Sequence, residues 1–103
     1  MSNKIDGLWI LKYSEKNIVQ GAGVLYVNDG SIYGGDSSAA ITGSIQLNGS
    51  DVVLDIDLRE HTQLPGSELL ISTGKHTING RLINNDLIEA SIGQLVITAT
   101  RYK

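Results

Sequence analysis

From Asp51 to Arg59 the chain places Val52, Leu54, Ile56 and Leu58 on one side and Val53, Asp55, Asp57 and Arg59 on the other. A repeat of two is the signature of an extended strand with one apolar and one wet face, and an amphipathic helix does not produce it. Ile41, Gly43, Ile45 and Leu47 alternate in the same way with Thr42, Ser44 and Gln46, and Leu95, Ile97 and Ala99 with Val96, Thr98 and Thr100. Between such runs stand Asp29-Gly30, Asn48-Gly49 and Asn84-Asn85, residue types that tolerate the positive φ of two-residue hairpin loops.

This pattern predicts strands near 6–13, 18–28, 31–35, 39–48, 51–61, 75–84, 86–92 and 94–102. Short hairpins make neighbours in sequence pair, so the fold class is all-β: a single domain over residues 1–103 built as an eight-stranded antiparallel meander. Closing the meander into a lipocalin-like barrel removes both exposed edges; a flat or two-sheet arrangement is the alternative. Asn79-Gly80 offers a further turn that would shorten the sixth strand. The best helical candidate is a turn around Ser67 to Ile71, inside the connection from Thr62 to Gly74.

Gly21, Gly23, Gly30, Gly34 and Gly35 crowd the stretch Gly21–Asp36 and raise the question of a phosphate-binding loop. Gly21-Ala22-Gly23 is followed by Val24, Leu25 and Tyr26, which lacks the third glycine of a dinucleotide fingerprint, and no lysine-serine or lysine-threonine pair follows. Glycines that end turns and relieve crowding in a coiling sheet account for the stretch.

The chain carries 8 Lys+Arg against 11 Asp+Glu, a formal charge of -3, with no basic stripe to neutralise phosphates; direct nucleic-acid binding is disfavoured. Without cysteine there is neither a disulfide framework nor a thiolate metal site. The N-terminal residues lack the apolar core of a signal peptide, and no run of about 18 apolar residues could span a bilayer, so we read the chain as soluble and cytoplasmic.

Asp55 and Asp57 are close enough in sequence to divide acid and base roles, but they share a wet strand face with Arg59 and read as solvated charges. His61 and His76 lack a third ligand at recognisable spacing and read as strand-end residues. Ser44 and Ser67 sit in no Gly-x-Ser-x-Gly element. The residues therefore imply no catalytic group, metal or cofactor, and we read the chain as not an enzyme.

Two further features concern closure and assembly. Closing a barrel brings the first and last strands together, so Trp9 and Arg101 can stack, or Arg101 can remain a solvated terminal residue. Leu8-Trp9-Ile10-Leu11 and Val24-Leu25-Tyr26-Val27 are apolar in succession, so both faces of this hairpin call for cover. A second copy of the chain covering Leu8, Ile10, Val24 and Tyr26 is one reading; simple tolerance of exposed apolar residues is the other.

Gly7-Leu8-Trp9 at the start, Arg101 near the close and the eight-stranded meander resemble lipocalin and avidin-like barrels. With "GLWILKY", "GAGVLYVNDGSIYGGDSS", "ITGSI" and "INGRLINNDLIEAS", most of the chain resembles the bacterial GrlR-like family, negative regulators of type III secretion genes. The resemblance implies a small dimeric barrel that sequesters a helix-turn-helix transcriptional activator through an acidic Glu-Asp-Glu-Asp hairpin. The corresponding hairpin here is Leu47-Asn48-Gly49-Ser50-Asp51-Val52, where only Asp51 matches that charge; with Asp55 and Asp57 it forms a thinner acidic patch for a protein partner. A second expectation is a carrier, with a small apolar ligand held among Ile41, Gly43, Leu54, Ile56, Ile97 and Ala99, because an eight-stranded barrel either fills itself or holds one small molecule.

Overall fold

The computed structural model describes residues 4–66 and 69–102. Its elements are β1 (Gly7–Glu15), β2 (Ile18–Asn28), β3 (Ser31–Gly35), β4 (Ala39–Asn48), β5 (Asp51–Glu60), β6 (Gly74–Asn84), β7 (Leu87–Ile92) and β8 (Leu95–Arg101). They form one closed antiparallel barrel in meander order, a lipocalin-like barrel, with β8 returning to β1. Period-two patterning supplies the inner and outer faces, and closure leaves each strand a neighbour on both sides along part of its length.

Local turn chemistry sets the register. Asp29 (φ 50°) and Gly30 (φ 82°) make the β2–β3 turn, and Lys16 (φ 52°) and Asn17 (φ 66°) make the β1–β2 turn, both with two left-handed residues. The other two expected turn pairs lie one residue too early. Asn48 is still in β4 opposite Asp51, leaving Gly49 (φ 62°) and Ser50 as the loop. Asn84 is the last residue of β6, and its side-chain oxygen accepts the Asp86 N–H at 2.9 Å, so the turn is Asn85-Asp86. Asn79 and Gly80 stay within β6, opposite Val53 and Val52. The expected turn at Ser67 to Ile71 falls partly on Ser67 and Glu68, outside the described residues; no helix occurs among those described.

The apolar alternants converge inside. Trp9, Val27, Ile32 and Val52 are fully buried, and Leu11, Leu25, Ile41, Ile56 and Ile88 pack with them. Trp9 keeps its one polar group satisfied by donating Nε1–H to the Ile5 carbonyl at 2.9 Å. At Gly34 and Gly43 the strands approach so closely that a side chain has no room. A Cβ at Gly34 would meet the Val24 carbonyl oxygen, and one at Gly43 (φ 150°) the Asp55 carbonyl oxygen.

Candidate functional site

The interior is nearly full. A cavity of about 50 Å³ remains, lined by Ile41, Leu54, Ile56, Ile97 and Ala99 among others, with Trp9 and Ile71 also on its wall. Five of the six residues expected there are present. Gly43 is the exception: although strand parity points it inward, it is exposed and absent from the wall. The backbone at φ 150° turns its missing side chain toward the Asp55 carbonyl, along the sheet rather than into the barrel.

Outside, Leu8 lies opposite Tyr26 and Ile10 opposite Val24, which joins the four expected residues into one patch across β1 and β2. Tyr33 extends it onto β3, directly opposite Tyr26. Leu8, Val24, Tyr26 and Tyr33 are exposed by 37%, 43%, 47% and 55%, and Ile10 is half-buried. Sequence reasoning missed Tyr33, yet the two-residue Asp29-Gly30 turn is enough to place it across from Tyr26.

The carboxylates of the β5 face are interleaved with cations. Asp57 takes two hydrogen bonds from Arg59, from Nε at 3.0 Å and Nη2 at 3.2 Å, and lies opposite Lys75. This pairing holds the Arg59 proton more firmly than in an isolated guanidinium. Asp55 accepts the Thr77 hydroxyl at 2.7 Å, and Asp51 stands opposite Arg81. Three acids with Arg59, Lys75 and Arg81 among them give a face of mixed sign.

At one end of the barrel an open cleft of about 930 Å³ separates Gln20, Gly21 and Ala22 of β2 from the turn at Asp36–Ala39, beneath the connection that follows β5. Tyr13, Leu58 and Ile71 also line it. Asp36 builds the turn by accepting the N–H groups of Ser38 at 2.8 Å and Ala39 at 2.9 Å through Oδ1. The Tyr13 hydroxyl reaches the same corner, 3.0 Å from where a Cβ on Gly23 would stand. Burial, helped by the nearby Asp36 charge, pushes the Tyr13 phenol up to about 12.

The histidines anchor the connection's two ends. His61 Nε2 donates to the Asp36 carbonyl at 3.2 Å while Nδ1 meets the Thr62 hydroxyl at 2.7 Å, and His76 Nε2 donates to the Ser72 carbonyl at 2.7 Å. Among the described residues no three His, Asp or Glu side chains gather around one point where a metal ion could sit. Ser44 is exposed on β4, and Ser67 lies outside the described residues.

Fold and surfaces define a lipocalin-like barrel with a filled interior, one apolar outer face and an open end cleft. Comparison with protein-family models and with curated proteins finds no match. Among the described residues no helix is long and apolar enough to cross a membrane.

Proposed function

We propose that this chain is a non-enzymatic regulatory binding protein of the bacterial cytoplasm. It works as a homodimer that restrains a protein partner by contact, in the manner of the negative regulators its sequence resembles. The observation carrying this reading is the contrast between inside and outside. The interior cavity of about 50 Å³ falls far below the roughly 300 Å³ at which ligand pockets begin, while Leu8, Ile10, Val24, Tyr26 and Tyr33 form one apolar outer patch.

A second copy suits that patch because none of its five residues carries a charge, so the same surface can face itself without like-charge repulsion. Asp51, Asp55 and Asp57, interleaved with Arg59, Lys75 and Arg81, would serve as a polar contact surface for a partner of mixed charge rather than for a strongly basic helix. The carrier reading requires the interior to open well beyond its present volume.

Native mass spectrometry of protein gently purified from its own cells tests the proposal. A dimer retaining a protein partner is the expected spectrum. A monomer carrying a fixed small-molecule adduct would replace the regulator reading with a carrier.

A further inference from the structure

β2 is longer than the strand beside it. β1 pairs with β2 along its length, from Gly7 opposite Val27 to Glu15 opposite Ile18, whereas β3 pairs only with Val24–Asn28. The chain leaves the sheet at the Asp36 turn, and among the described residues no backbone hydrogen bond reaches the β3 side of Ile18–Ala22. The Val24 carbonyl points across to β3, and by the two-residue repeat Ala22 directs its own N–H and C=O the same way. That direction is into the end cleft.

Open strand edges are usually blunted by lysine, proline or brevity. Ile18-Val19-Gln20-Gly21-Ala22 has no charge and no proline. We propose that this edge is a docking site for an extended segment of a protein partner, which adds a strand in the slot that β3 would fill if it ran further. The inference rests on reading the chain as a protein-binding module and names where and how the partner is held.

The slot sets the chemistry of its occupant. Five residues of edge give hydrogen bonds to a segment of similar length, and the volume of about 930 Å³ is ample for one extended chain with its side chains. Alternate side chains of the added strand would face Leu58, Ile71 and Leu70 and so should be apolar. Asp36 is the one charge among the described lining residues, and it favours a lysine or arginine at the end of the segment nearest the turn. Because the Asp36 turn and the connection after β5 wall the slot, it admits a single strand and obstructs the edge of a second barrel.

Amide hydrogen exchange on the whole chain, with a capped hexapeptide of alternating valine and lysine as the probe, tests this directly. The expected result is saturable binding that slows exchange at Ala22 about tenfold or more, with no matching change on β6. Ala22→Pro removes the N–H at a position whose N–H faces the slot, so it should fold and fail to bind. N-methylation of the peptide on its pairing edge should abolish binding without altering the protein, and Asp36→Asn should weaken binding several-fold.

Binding that leaves Ala22 exchanging freely would overturn strand addition while leaving a protein-binding module in place. No binding at about 1 mM peptide would overturn it as well, as would protection of Ala22 that rises with protein concentration alone, which would assign the edge to a second copy.

Discussion

The guanidinium of Arg101 lies 4.4 Å from the centre of the Trp9 ring, and the two residues are direct cross-strand neighbours where β8 closes against β1. Arg101 also donates to the carbonyls of Asp6 at 2.7 Å, Lys4 at 2.9 Å and Asn85 at 3.0 Å, and it pairs with Asp86 at 3.3 Å. One side chain thus ties the first strand, the last strand and the β6–β7 turn together.

Arg101→Ala should cost about 2–3 kcal/mol in urea unfolding, by losing the stacked cation together with several charge-assisted hydrogen bonds. Arg101→Lys keeps the charge but loses the planar fork, and should recover less than about half of that loss. If Arg101→Lys matches the parent, stacking and fork geometry contribute little to closure.

Tyr13 gives the fold an alkaline limit. Its phenol sits at about 12 in the folded chain, against 10.0 when unfolded, so between these values the unfolded chain has lost a proton that the folded chain retains. The stabilisation is complete below pH 10 and is lost as pH rises toward 12; a shift of this size is worth on the order of 2 kcal/mol. Unfolding midpoints measured from pH 8 to about 11.5 should fall less steeply for Tyr13→Phe than for the parent. Parallel curves would place the phenol in a more watery setting than the barrel end provides.

Gly43→Ala should destabilise the barrel by at least about 2 kcal/mol, because the new methyl meets the Asp55 carbonyl at a φ that L-residues avoid. Gly49→Ala has open space around it and only the left-handed backbone to oppose it, so about 1 kcal/mol is expected. Thermal melts of the two variants compare close packing with turn strain in a single pair.

The strand order and most strand ends were legible because half-buried strands leave alternation in the sequence, as Val52 to Leu58 do. Turn pairs slipped by one residue at Asn48 and Asn84 because asparagine suits both the last strand position and the loop itself. Gly43 was assigned to the interior by parity, a rule about Cβ direction that has little force for a residue without a Cβ. The end cleft escaped notice for another reason. It depends on the pairing offset between β2 and β3 and on where the connection after β5 lies, and neither is a local property of the residues involved.

Leu8, Ile10, Val24, Tyr26 and Tyr33 offer the most direct test of the central claim, that this barrel acts through its outer surface as a homodimer. Static light scattering should return twice the chain's mass for the parent protein and the single-chain mass for Leu8→Lys. The variant should keep the parent's β-sheet circular dichroism, since the lysine enters an exposed position. A parent protein that scatters as a monomer across the micromolar range, or a Leu8→Lys variant that remains a dimer, would contradict the account.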